Sequence, residues 1–187
     1  MRSLVAMLCL LVAPVWAQDH NNDLAVTQPA DYTTSLSEWR QMAEQGQAIA
    51  QYNLGIIYEY GRGVRQNDVE AVKWYRKASA QGVSVAQYKL GIMYDNGWGV
   101  PPSDTEAVKW YGDAAKQGHP FAQHDLAFMY VAGTGVVQDY VRAYMWLNVA
   151  VANGNSLMVK HLHSISRKLT FAQIEEARKM AREWMGN

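Results

Sequence analysis

Apolar positions along this chain fall into short stripes at helical spacing, and the stripes return at a fixed interval. Ala50, Leu54, Ile57 and Tyr58 stand at i, i+4, i+7 and i+8, which places them on one face of a helix. Ala71, Trp74, Tyr75 and Ala78 make a second stripe of the same kind. Between them, Gly61-Arg62-Gly63-Val64 ends the first helix, because glycine takes the left-handed closing conformation at little steric cost. Asn67, Ser103 and Asp139 hold one register position and predict N-caps for the second helices. Glu70 and Glu106, three residues further on, predict capping boxes in the first two units.

The pattern repeats every 36 residues: Gly46, Gly82, Gly118 and Gly154 are in step, as are Leu54, Leu90 and Leu126. Tyr58, Tyr94 and Tyr130 keep the same register, as do Trp74, Trp110 and Trp146. A fixed period of this size marks a solenoid, in which each unit buries its apolar face only against its neighbours. The expected fold is all-α: a right-handed superhelix of antiparallel helix pairs with about three repeats, at 47–82, 83–118 and 119–154. A half-repeat at 35–46, opened by Ser35 with Glu38, precedes them, and a cap at 155–187 follows. Within that cap, Thr170 with Gln173 starts the last helix, and Phe171, Ile174, Ala177, Ala181 and Trp184 form its expected buried side. About nine helices and no strand result.

Two departures from a plain helical repeat carry information. Gly55 and Gly91 sit mid-helix, where glycine costs about 1 kcal/mol against alanine, so close approach of the paired helix is the expected reason. In the third unit Ala127 keeps that position small, while His124 stands where Tyr88 does and Leu147 where Tyr111 does.

The N-terminus reads differently. Arg2, the apolar run Leu4 to Val12 and the small-residue pattern Val15-Trp16-Ala17 make a secretory signal peptide, with cleavage expected after Ala17. The run is shorter than the roughly 20 apolar residues that a bilayer span needs. Residues 18–34 form a polar leader without periodicity, and the expected destination is the periplasm or the medium. Cleavage would also remove Cys9, the one cysteine, which suits an oxidising compartment.

Composition narrows the function. With 17 basic against 17 acidic residues, bulk electrostatic binding of nucleic acid or anionic lipid is not expected. One cysteine leaves no disulfide framework and no multi-cysteine zinc site. There is no Ser-x-x-Lys, and Gly82-Val83-Ser84-Val85-Ala86 follows a helix where a nucleophile elbow requires a strand. His161 and His163 are two apart and point to different sides of a helix, and His119 and His124 lie in different local contexts. No catalytic residue, metal site or cofactor is assigned.

Ala50-Gln51-Tyr52-Asn53-Leu54-Gly55, then Tyr58, Gly61-Arg62-Gly63-Val64, Asp68, Ala71, Trp74-Tyr75, Ala78 and Gln81-Gly82 resemble the Sel1-like repeat, a relative of the tetratricopeptide repeat. The match recurs in 83–118 and 119–154, and Leu169-Thr170-Phe171-Ala172-Gln173 through Trp184 is similar to the ending of many bacterial members. The resemblance implies a scaffold or adaptor in signalling, secretion or envelope assembly. Some secreted, cysteine-rich members are described as binding or hydrolysing β-lactams, but this chain lacks their paired cysteines.

The binding face is sought on the first helix of each unit, off the core stripe. Ile49, Asn53, Ile56 and Tyr60 fall within about 60° of one another on a helical wheel. Their equivalents are Val85, Lys89, Ile92 and Asn96, then Phe121, Asp125 and Phe128. Two readings stay open: a concave groove that binds an extended protein or peptide, with Asn53, Lys89 and Asp125 meeting its backbone, or extra core. The expected function is a non-catalytic, exported, monomeric scaffold for protein–protein interaction. The alternative is a cell-wall or β-lactam-modifying enzyme.

Overall fold

The computed structural model describes residues 32–186. The signal peptide, its cleavage point and the leader up to residue 31 lie outside the described residues. The elements are α1 (Tyr32–Glu44), α2 (Ala48–Tyr60), α3 (Asp68–Ala80), α4 (Ser84–Asn96), α5 (Asp104–Lys116), α6 (Pro120–Ala132) and α7 (Tyr140–Ala152). A single 3₁₀ turn (Ser156–Met158) leads into α8 (Val159–Ser166) and α9 (Phe171–Met185). Among the described residues there are nine α-helices and no strand. None of these helices is long and apolar enough to cross a membrane.

Helix α1 begins one turn earlier than its expected cap. Ser35 therefore lies inside the helix, and the leader ends before Tyr32. No proline or glycine between Asp31 and Ser35 stops the turn from extending upstream.

The N-caps of the second helices are as read, with Asn67, Ser103 and Asp139 accepting from the N–H of Glu70, Glu106 and Arg142 at 3.1, 3.3 and 2.9 Å. The reciprocal half of the box is absent in the first two units. The N–H groups of Asn67 and Ser103 already donate to the carbonyls of Tyr58 and Tyr94, both at 2.9 Å. Glu70 and Glu106 turn instead to Lys73 and Lys109 one turn on. Thr170 and Gln173 do complete a capping box.

Packing within a pair rests on the mid-helix glycines. A Cβ on Gly55 would sit 2.5 Å from the Tyr75 ring, and one on Gly91 would overlap Tyr111. The two tyrosines are consequently buried against bare backbone, at 0% and 2% exposure. In the third unit both partners change together: Ala127 replaces the glycine and Leu147 the tyrosine, each fully buried.

Between pairs, three glutamines make the connection. Gln51, Gln87 and Gln123 are buried on α2, α4 and α6. Gln51 and Gln123 donate to the carbonyls of Ala43 and Ala115 on the preceding helix, at 3.1 and 3.2 Å. Their side-chain oxygens, and that of Gln87, accept from Gln81, Asn153 and Gln117 at the end of the following helix. Loop glycines close the remaining gap: Gly99 and Gly135 hold φ of 69° and 67°, and a Cβ on either would strike the backbone of Asp68 or Asp104 in the unit before.

The C-terminal helices cover α7, with Ala177 and Ala181 buried and Trp184 meeting Trp146 edge-on at 5.5 Å. Phe171 does not join them and is 79% exposed. Six residues before Ala177, it lies about 120° round the helix from the buried line.

Replacing Gly91 by Ala should destabilise the protein by about 1–3 kcal/mol, because the added Cβ would overlap the buried Tyr111 ring. The double variant Gly91→Ala/Tyr111→Leu copies the pairing of the third unit and should recover most of the loss. Urea unfolding of both variants checks the coupling.

Candidate functional site

The face of interest is the side of α2, α4 and α6 not occupied by their paired helices. Its residues divide by position. Ile49, Tyr60, Phe121 and Phe128 are exposed, at 38%, 55%, 44% and 39%. Val85, Lys89, Ile92 and Asp125 are half-buried, and Asn96 is exposed with its amide folded back onto the Ile92 carbonyl. Ile56 packs in the core with Tyr75, Leu90 and Met93, so at that position extra core is the correct reading. Asn53 is also buried, and neither its amide nitrogen nor its amide oxygen has a partner.

A polar junction lies between α2 and α4. The Lys89 ammonium is 2.8 Å from a Glu59 carboxylate oxygen and donates to the Tyr60 hydroxyl at 3.1 Å. The Tyr75 hydroxyl donates to the other Glu59 oxygen. Burial works against the Lys89 charge, but Glu59 overrides it and holds the lysine pKa above its usual value. Burial, reinforced by the Glu59 charge, pushes the Tyr75 phenol far above its usual range.

Between α4 and α6 the junction is built differently. Tyr88 and Tyr111 donate to Asp125 and Asp95 at 3.0 and 3.2 Å. The second Asp125 oxygen is 2.7 Å from His124 Nδ1. Rings surround it: Tyr88 stacks on His119 at 4.5 Å, and His124 and His161 both contact Phe128. The fold thus brings together His124 and His161, 5.4 Å between centroids, although they are 37 residues apart in sequence. His124 Nε2 and His161 Nδ1 are buried without a partner. Among the described residues no group of three or more His, Cys, Asp or Glu is arranged to hold a metal ion.

Sequence reasoning singled out Lys89 and Asp125 but missed Glu59, Asp95 and the tyrosines that fix them. The signal was present: Glu59 and Asp95 are acidic at one register position, and Tyr75 and Tyr111 repeat at another.

Antiparallel helix pairs stacked at constant register and covered by unlike helices at one end define an α-solenoid. The Sel1 repeat model matches residues 48–83, 84–119 and 120–155, more than half the chain, and the chain belongs to that family. Among solved structures, a Sel1 repeat protein from Oxalobacter formigenes is similar at 33% identity and a TM-score of 0.67, over 70% of this chain and 54% of that one. The chain therefore spans about half the length of that relative. Helicobacter pylori cysteine rich protein B shares the fold at 19% identity and a TM-score of 0.55, over 69% of this chain and 92% of that one. A search of curated proteins found no match.

One group in the site titrates within reach of experiment. Burial lowers the His119 pKa to about 4 against the opposing pull of Asp125, and neutral Nδ1 accepts the Ala122 N–H at 3.2 Å to cap α6. The unfolded chain takes up the proton near pH 6.5, so stability is fully present above that value and is lost as pH falls towards 4. The loss should reach about 3 kcal/mol at most. Thermal melts from pH 7 to 4 should show it, and His119→Asn, which caps without titrating there, should flatten the profile.

Proposed function

We propose that this chain is an exported, non-catalytic, monomeric scaffold that holds a protein or peptide segment on the α2/α4/α6 face. Sel1 repeat proteins are typically protein–protein interaction scaffolds. The observation that carries the assignment to this face is the recurrence of exposed apolar side chains, Ile49, Phe121 and Phe128, at positions where a solvated helix face would be polar. Export is supported by the charged start, apolar run and Val15-Trp16-Ala17 pattern of the N-terminus. The likeness to the cysteine-rich protein is one of fold and brings no activity with it, since Ser-x-x-Lys is absent and Cys9 is the one thiol.

Binding and stability should separate cleanly along the row. Phe128→Lys should cost about 1 kcal/mol or less, because the side chain is exposed. Ile56→Lys, at the same register, should cost several kcal/mol by burying an unpaired charge. A photo-crosslinking residue at position 128 should capture a partner in the native envelope, and one at exposed position 171 should not. Equal capture at both positions would overturn the face assignment. Purified mature protein should neither turn over a chromogenic β-lactam nor be acylated by a labelled one. Its mass should correspond to a chain starting at Gln18.

A further inference from the structure

The repeat supplies its own internal comparison. Moving 36 residues along the chain carries Glu59 to Asp95, Tyr75 to Tyr111 and Lys89 to Asp125. At the first junction, tyrosine and lysine both meet the acid: Tyr75 donates to Glu59, and the Lys89 ammonium sits 2.8 Å from it. At the second junction the tyrosine–acid bond is kept, with Tyr111 on Asp95, but the residue in the lysine position is another carboxylate. The pair of registers that holds an acid and an ammonium between α2 and α4 holds two acids between α4 and α6.

No lysine or arginine of the described residues forms a salt bridge with either aspartate. Asp125 meets the Tyr88 hydroxyl and the His124 ring, and Asp95 meets the Tyr111 hydroxyl. Asp95 is exposed, and the Asp125 side chain is 31% exposed, so both are open to a ligand. After burial, the charges of both aspartates are the main causes that raise the Tyr111 pKa, which places the two fields on one phenol. Exposed Phe121 and Phe128 flank the position, and aromatic faces beside carboxylates favour a cationic side chain with an apolar stem.

We infer that the scaffold face recognises an extended protein segment carrying a lysine or arginine, whose charged head enters between Asp95 and Asp125 where the neighbouring junction holds its own lysine. This rests on the face assignment made above. The chain's own leader does not fit the role: residues 18–31 contain Asp19, Asp23 and Asp31 and no lysine or arginine. Charge complementarity therefore points to a separate partner.

The test uses the mature chain and a fluorescein-labelled decapeptide of alternating valine and lysine, with counterparts carrying acetyl-lysine or glutamate in place of lysine. Anisotropy should show binding of the lysine peptide alone. Its affinity should fall as salt rises from about 50 to about 200 mM. Asp95→Asn/Asp125→Asn keeps the hydrogen-bond acceptors for Tyr111 and Tyr88, and should weaken binding about tenfold or more at an unchanged melting temperature. Equal binding of the acetyl-lysine peptide, or undiminished binding by the double variant, would overturn the inference. A dimer of the mature chain that Asp95→Asn/Asp125→Asn disperses would overturn it too, because a second copy would then be the source of the cation. Crosslinking through position 128 is read separately. If it persists while the lysine peptide fails to bind, the cationic subsite is wrong and the face stands; if both fail, the face itself is wrong.

Discussion

A buried primary amide is costly unless its donor and acceptor are used, and this solenoid turns that cost into its joint. Gln51 and Gln123 each reach back to a carbonyl near the end of the preceding helix and are reached in turn by the cap residue of the following one. One side chain thereby ties three successive helices. Displacing any of the three would strand a polar group in the interior, so spacing between units is held by a penalty as much as by attraction. The apolar stripes fill the space that these amides define, and the Tyr75 and Tyr111 rings lie against bare backbone within it.

The period, the helix pairs and most of the caps were legible in the sequence because each leaves a mark at a fixed register. Non-local effects were not. Glu70 and Glu106 had the spacing of a capping box, but a carbonyl from the previous helix had already claimed the N–H they would have accepted. Gln51, Gln87 and Gln123 repeat as faithfully as the glycines, yet a lone polar residue on a helix gives no sign of whether its amide faces water or a neighbouring carbonyl.

The candidate site was half legible for a related reason. Ile56 and Phe128 hold the same register with opposite outcomes, since environment comes from the next unit along. Ile56 packs with Leu90 and Met93 of the following repeat, whereas beyond Phe128 the array gives way to α8, and the ring meets His161. No amount of periodicity shows that a repeat has an unlike neighbour. The row at positions 53, 89 and 125 behaves differently again, because it changes from amide to ammonium to carboxylate while the glutamines at 51, 87 and 123 stay fixed.

The loop glycines set a quantity that belongs to no single unit. Gly99 and Gly135 each lie against the backbone at the start of the preceding second helix, with no space for one further carbon. That contact is the closest distance to which consecutive units can tilt on the loop side. In a stack, a small wedge at each joint adds up along the axis as an angle, as the taper of voussoirs sets the span of an arch. A methyl group at both positions would open each joint on the same side, and the curvature of the whole array would change although no helix had altered.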